Sequence, residues 1–310
     1  MSVRKSLLLR VLKSLPEQLV WRFARTYIAG RTLDDAASTI ELLAQERCMA
    51  TLDVLGEDVA LASEVEIYVA EYQRALARIA QQQLPANISV KPSAMGLAFD
   101  PELAFRSVCI LTEAAREVGN FVRLDMEDRT LTSKTLDLYR RLRAQDIANV
   151  GVVLQAYLRR TLGDAAELAA MGASVRLCKG IYIEPREVAY QHYDTVRQSF
   201  VSTLRVLFER GASKVGIATH DEWLVQQALA MIQQLEIPTS RYEFQMLLGV
   251  DPQLRRLLAG AGHPLRVYVP YGAGWQAYSL RRLIENPRVA SHVVKNVLGL
   301  GPGSRHRGAD

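Results

Sequence analysis

Eight short runs rich in β-branched, aromatic and other apolar residues recur along the chain, and nearly all are separated by a segment of helical periodicity. The runs are Ala50–Leu55, Ile88–Lys91, Phe121–Asp125, Gly151–Gln155, Ser174–Cys178, Lys214–Ala218, Tyr242–Leu247 and Leu265–Val269. Helical patterns lie at about 58–82, 101–118, 131–146, 163–171, 186–210, 221–235 and 252–261, and another follows the last run. Parallel strands must be joined by a crossover of a dozen or more residues, and every strand-to-strand step here has room for one. Eight βα repeats predict an α/β fold, a (β/α)8 TIM barrel. A doubly wound sheet is the rival. The count of eight and the lack of a Gly-x-Gly-x-x-Gly after any strand weigh against it.

The pattern before residue 48 is helical throughout, at about 4–14, 16–28 and 33–47, with breaks at Pro16 and Gly30. Asp34 and Asp35 place acid in the first turn of the third helix. The organisation expected is therefore N-terminal helices over 1–47 packed on a barrel over 48–300. A tail over 301–310, rich in Gly and charge and without a large apolar residue, is expected to be disordered. Met1–Phe23 interleaves Arg4, Lys5, Arg10, Lys13 and Arg22 with leucines, Val11 and Trp21. A helix docked on the barrel accounts for this best; an interfacial helix or a transit peptide would share the pattern. No apolar run approaches the ~20 residues that cross a bilayer.

Composition narrows the chemistry. The net charge of +5 is diffuse and comes with no nucleic-acid motif, so no nucleic-acid partner is expected. Cys48, Cys109 and Cys178 stand singly, which suits buried thiols in a reducing compartment. The five histidines form no ligand cluster, and no metal is expected.

Barrel enzymes carry their chemistry at the C-terminal strand ends. Here those ends hold Asp53 and Glu57, Lys91, Asp125 with Glu127 and Asp128, and Gln155. Beyond these come Arg176 with Lys179, Gly180 and Tyr182, then Thr219 and His220, Gln245 and Leu247, and Tyr268. Arg176, between Val175 and Leu177, is costly inside a strand unless it points into a polar lumen, where a flavin or phosphate would suit it. Lys91 fits a Schiff-base lysine or a structural ion pair with Asp125 as its mate, the latter preferred. His220 fits a general base or a residue that positions a ligand, again with the second preferred. Asp221 and Glu222 read as the acidic first turn of the next helix.

After the eighth run, which should stop at Pro270, a Gly-bearing turn leads into a helix. There Tyr278, Arg281, Arg282 and Glu285 share one face at i, i+3, i+4 and i+7. Two adjacent guanidinium forks can grip a small carboxylate, with Glu285 orienting at least one of them. A solvated helix face with an ordinary ion pair is the plain alternative. There is no nucleophile elbow, metal set or P-loop, so the reactivity would have to come from a cofactor.

The stretch Tyr268–Asn286, YVPYGAGWQAYSLRRLIEN, closely resembles the C-terminal signature of proline dehydrogenases. Seven further blocks follow in the expected order, covering together about residues 45–290. They are ATLDVLGE at 50–57, SVKPSAMG at 89–96, VRLDMED at 122–128, VVLQAYLRR at 152–160, VRLCKGIY at 175–182, IATHD at 217–221 and YEFQMLLG at 242–249. The resemblance implies a distorted barrel that binds FAD, with the last helix over the barrel mouth. It implies oxidation of L-proline to Δ1-pyrroline-5-carboxylate, electrons passing to a membrane quinone (ubiquinone or menaquinone), and a separate pyrroline-5-carboxylate dehydrogenase as partner. It implies that Arg281, Arg282 and Lys91 bind the substrate carboxylate, that Asp125, Tyr268 and Tyr278 shape the pocket, and that Leu247 and Tyr182 adjoin it. Gln155, Arg176, Lys179, Gly180, Thr219 and His220 match flavin-contacting positions, Arg176 near the flavin N5. Arg176, Lys91 and Asp125 are the catalytic candidates. The expected location is cytoplasmic, with a peripheral membrane contact left open. A lyase or aldolase using Lys91 or Lys179 as a Schiff base, and a non-catalytic anion binder, are the alternatives in the same fold.

Overall fold

A computed structural model describes residues 21, 24–56, 59–276, 278 and 279. The helix expected over 4–14, much of that over 16–28, the 301–310 tail, Glu57, Arg281, Arg282 and Glu285 lie outside the described residues.

Helix α1 (Leu33–Gln45) precedes β1 (Met49–Val54). The chain then alternates through α2 (Ala62–Gln81), β2 (Ala86–Val90), α3 (Pro101–Glu117), β3 (Val122–Leu124), α4 (Arg129–Ala144) and β4 (Val150–Gln155). It continues with α5 (Thr161–Ala170), β5 (Ser174–Cys178), α6 (Tyr193–Glu209), β6 (Lys214–Ala218), α7 (Glu222–Gln234), β7 (Tyr242–Leu247), α8 (Pro252–Gly260) and β8 (Leu265–Tyr271). The strands pair in sequence order, all parallel, and β8 pairs with β1 to close the barrel.

Capping chemistry sets several helix starts. Thr32 and Asp35 form a reciprocal capping box at α1, with the Asp35 amide donating to Thr32 Oγ1 and the Thr32 amide to Asp35 Oδ2. At α3, Asp100 accepts from the Glu102 and Leu103 amides, and Pro101 occupies the first helical position, where no N–H is needed.

Each strand has a two-residue period, so one set of side chains faces the helices and the other the lumen. The outward set is apolar: Leu52, Ile88, Val122, Val152, Leu177 and Val267 are buried with their neighbours beneath the helices. The inward set is polar and charged, with Thr51 and Asp53 on β1, Arg123 on β3, Arg176 on β5, Glu243 and Gln245 on β7, and Arg266 on β8. Two glycines make room for this lumen. A Cβ on Gly151 would lie 2.3 Å from Arg123 Nη1, and one on Gly216 2.5 Å from Gln245 Nε2.

Two departures from the sequence reading have a clear tertiary cause. The helix expected from 186 begins at Tyr193. The chain before it is tied to the β4–α5 turn, with the Arg159 amide donating to Val188 O and the Tyr190 amide to Tyr157 O. Strand β8 does not stop at Pro270 but runs on to Tyr271. Pro270 lacks only a donor; its carbonyl accepts from the Ala29 amide, and the Tyr271 carbonyl accepts from the Leu55 amide. The segment before α1 thereby joins the end of β8, and it packs Ala24 and Ile28 against Leu55, Trp275 and Tyr278.

Candidate active site

The C-terminal ends of β1, β2, β3, β5 and β8 converge on one bonded network. Lys91 follows β2, and its Nζ lies 2.7 Å from both carboxylate oxygens of Asp53 on β1. This corrects the expected Lys91–Asp125 pair. Asp53 is in register with Ser89, two residues before Lys91 on the same inward face, so the neighbouring strand supplies the nearer carboxylate. Asp53 is fully buried. Burial drives its carboxyl pKa up, Asp125 adds to the rise, and the Lys91 ammonium opposes both. Beneath the pair, the Tyr72 hydroxyl donates to Ser89 O at 2.7 Å and accepts from the Val54 amide.

Asp125 has other partners. Its Oδ1 accepts from Ser89 Oγ at 2.6 Å and from Arg176 Nη1 at 2.8 Å, and its Oδ2 accepts from the Tyr268 hydroxyl at 2.7 Å. The Arg176 guanidinium reaches from β5 to a residue just past β3, and it lies 5.3 Å from the centre of the Tyr268 ring. Its Nε donates to Gln245 Oε1 on β7. Nη2 makes no hydrogen bond among the described residues. Burial, then the Asp125 and Asp53 carboxylates, push the Tyr268 phenol well above its ordinary range, so it stays a donor.

The ends of β4, β5 and β6 form the adjoining side of the mouth. Gln155, 2% exposed, gives its Nε2 to Glu127 O at 2.8 Å, and its Oε1 accepts nothing from the described residues. Gly180 holds φ +104°, and a Cβ there would meet the Tyr157 ring at 2.1 Å, so only glycine lets the β5 loop lie against that ring. His220 Nε2 accepts from the Leu247 amide at 2.8 Å. That nitrogen carries no proton in this arrangement, which favours the positioning role over the general base. Thr219 Oγ1 accepts from the Asp221 amide.

Asp221 departs from its expected role. It is the N-cap residue of α7, yet its side chain makes no capping bond. Its carboxylate instead takes Arg197 Nη2 at 2.7 Å, the Tyr193 hydroxyl at 2.5 Å and Lys179 Nζ at 3.2 Å. Burial would raise its pKa, but Arg197, Tyr193 and Lys179 outweigh that and hold it well below the usual carboxylate range.

The structure thus brings Lys91, Asp125, Arg176 and Tyr268 into one network, with Gln155, Lys179, Gly180, Thr219 and His220 on neighbouring strand ends and Leu247 held by His220. Tyr182 is half-buried on the β5–α6 loop, and Tyr278 is buried with Trp275 at the start of the last helix. The sequence reading assigned no role to Asp53, Ser89 or Gln245, and missed Arg123, Glu243 and Arg266 altogether. The signal was available: these polar residues alternate with apolar ones along strands that would otherwise read as buried on both faces. Among the described residues, no group of three or more His, Cys, Asp or Glu is placed to hold a metal ion.

An acceptor on Gln155 and a donor on Arg176 that no described residue meets, on adjacent strands, suit a planar ligand edge that offers both an N–H and a ring acceptor. Lys179 and the Thr219–His220 pair add a cation and polar side chains beside the start of α7, a donor set that fits a phosphate-bearing cofactor.

Residues 36–295 match the family model described as proline dehydrogenase. Proline dehydrogenase 1 of Bacillus subtilis subsp. natto is 34% identical over 275 residues, covering 89% of this chain and 90% of the relative. Proline dehydrogenase of Deinococcus radiodurans is 32% identical over 292 residues, covering 92% and 93%. Among solved structures, proline utilization A from Bdellovibrio bacteriovorus, inactivated by N-propargylglycine, superposes with a TM-score of 0.80 at 23% identity. That match covers 91% of this chain but 34% of the longer protein, and it speaks to the fold. The match along most of the chain and along most of these relatives establishes that the chain belongs to the proline dehydrogenase family.

Proposed function

We propose that this chain is a flavin-dependent proline dehydrogenase that oxidises L-proline to Δ1-pyrroline-5-carboxylate. The observation that carries the reading is the pair of bonded groups at the barrel mouth, Lys91 on Asp53 and Asp125 holding Arg176 and Tyr268, in a chain of this family. In the reaction the C5–H bond breaks with its electron pair, the ring nitrogen loses a proton, and a C5=N bond forms. FAD, when bound, supplies the two-electron acceptor. Gln155, Lys179, Gly180, Thr219 and His220 would hold it, with the Arg176 guanidinium beside its reactive ring.

The residues of the chain do the binding and orienting. Arg281 and Arg282, oriented by Glu285, would grip the substrate carboxylate from the last helix, and Lys91 would add a charge-assisted donor fixed by Asp53. Tyr268 and Tyr278 would flank the ring, with Leu247 and Tyr182 closing the apolar side and excluding water. Asp125 holds Arg176 and Tyr268 at once, so the cation and the aromatic wall are positioned together. A positive charge on Arg176 would stabilise an electron-accepting group held beside it.

Reoxidation by a membrane quinone and transfer of product to a separate pyrroline-5-carboxylate dehydrogenase complete the reading, at a cytoplasmic site. Among the described residues, no helix is long and apolar enough to cross a membrane. The Schiff-base alternative is disfavoured because Lys91 and Lys179 would each have to leave a carboxylate, Asp53 or Asp221, before condensing with a carbonyl. The test is an absorbance spectrum before and after anaerobic addition of L-proline. A flavin band that bleaches is expected. A flavin band indifferent to proline sinks the substrate, and no flavin after reconstitution with FAD sinks the cofactor.

A further inference from the structure

Below Arg176 the lumen carries a second charged layer that the proposed reaction does not use. Glu243, on the inward face of β7, is 3% exposed. Its carboxylate accepts from Arg266 Nε at 2.6 Å, from Lys214 Nζ at 2.9 Å and from Gln245 Nε2 at 2.6 Å. Burial would raise its pKa, but Arg266 and Lys214 prevail and hold it far below the usual range, so it is a carboxylate at any working pH. Arg266 Nη1 is bonded in turn to Ala50 O at 2.6 Å, which ties the layer to β1.

An ionised carboxylate only accepts, so the Gln245 end that faces Glu243 must be the amide NH2. The opposite end is then the carbonyl, and it faces Arg176 Nε. Gly216 on the neighbouring strand has no side chain, and a Cβ there would strike the Gln245 amide at 2.5 to 3.1 Å, so the glycine makes the room that the amide occupies. Were the amide reversed, its NH2 would face a guanidinium and its carbonyl a carboxylate, two repulsive contacts in a buried lumen.

We propose that Gln245 and Glu243 are positioning residues for the reaction. Glu243 sets the direction of the Gln245 amide, and the amide, with Asp125 on the other side, locks the Arg176 guanidinium in the plane it presents at the mouth. Two of the three guanidinium nitrogens are thereby assigned, Nε to Gln245 and Nη1 to Asp125, which leaves Nη2 for a ligand. This role rests on the flavin-dependent reading of the site above.

The experiment compares the wild-type holoenzyme with Gln245→Met, Gln245→Glu and the exchanged pair Gln245→Glu/Glu243→Gln. For each, flavin content, flavin midpoint potential, melting temperature, and kcat and KM for L-proline are measured. Gln245→Met keeps the side-chain length but removes both hydrogen bonds. It is expected to bind flavin, to lower kcat by about 10- to 100-fold with KM changed less than about threefold, and to lower the midpoint potential, because the cation beside the cofactor is no longer held. Gln245→Glu sets two carboxylates in contact and is expected to melt lower than Gln245→Met. The exchanged pair keeps an acceptor towards Arg176 and a donor–acceptor contact between the two β7 residues, but it takes the carboxylate from Arg266 and Lys214 and is expected to melt lower than wild type. It is expected to recover kcat to within about threefold of wild type and to return the midpoint potential towards the wild-type value. A flavin-loaded Gln245→Met with wild-type kcat and potential overturns the proposal. So does a folded, flavin-loaded exchanged pair whose kcat is no better than that of Gln245→Glu alone, a comparison that holds even if Gln245→Met does not fold. A wild-type protein that neither holds flavin nor oxidises L-proline overturns the functional reading and this role together, and is told apart because it fails before any substitution.

Discussion

Asp53→Asn isolates what the buried pair with Lys91 contributes. Asp53 is fully buried, the Lys91 side chain is 9% accessible, and both carboxylate oxygens sit 2.7 Å from Nζ. Removing one partner of such a pair leaves an uncompensated buried charge, which costs about 3–5 kcal/mol. For a chain of 310 residues, at about 2 °C per kcal/mol, the melting temperature should fall by about 6–10 °C. The same change frees the ammonium to move or to lose its proton, and so weakens its hydrogen bond to the substrate carboxylate. A charge-assisted hydrogen bond contributes about 1.5–3 kcal/mol, so kcat/KM for L-proline should fall by about 10- to 150-fold, mostly through KM. Thermal melts of the protein without substrate, followed by steady-state kinetics at saturating acceptor, measure the two effects separately. A melting temperature within about 2 °C of wild type would refute the argument from buried charge. An unchanged KM with the expected loss of stability would leave Asp53 structural and remove Lys91 from carboxylate binding.

Three further outcomes follow from particular contacts. Glu243 and Asp221 are held below their ordinary pKa in the folded state, so the stability they add is present above the unfolded carboxylate range and is lost as pH falls below about 4; melting temperatures that stay level from pH 6 to pH 3 would contradict this. Gly151→Ala drives a Cβ to 2.3 Å from Arg123 Nη1 and 2.6 Å from Ser174 O, an overpacking expected to cost about 1–3 kcal/mol. Gly163→Ala, in helix α5 with nothing within 4 Å, should stabilise by about 0.5–1 kcal/mol, and urea melts that reverse the two signs would refute the packing account. Activity should rise with pH as the proline amine loses its proton, and a flat profile between about pH 6 and about pH 9 would argue that the protonated amine reacts.

The eight strands were legible because each carries its own apolar period and each lies between helices long enough to cross over. Observed boundaries agree with the sequence reading to within a few residues along the barrel. The larger miss, at the start of α6, has a tertiary cause: the residues before Tyr193 have a helix-compatible composition but are pulled onto the β4–α5 turn by the Tyr190 and Arg159 bonds. Arg176 was legible as unusual because an arginine between Val175 and Leu177 has to justify its burial. Arg123, Glu243 and Arg266 present the same problem on three other strands, and reading the alternation through every strand would have exposed them.

The sequence alone determined the number and order of the barrel strands and of the helices between them, the family, and many of the polar residues at the strand ends. These depend on period, capping and composition, which act over a few residues at a time. It did not determine which charges pair. Lys91 takes Asp53 rather than Asp125, and Asp125 takes Arg176, Tyr268 and Ser89, because those distances are set by inter-strand register and by closure of β8 onto β1. Asp221 likewise serves Arg197, Lys179 and Tyr193 instead of the amides at the start of its own helix. A buried ion takes whichever counter-charge the closed barrel puts nearest, and that proximity does not exist until the chain has folded.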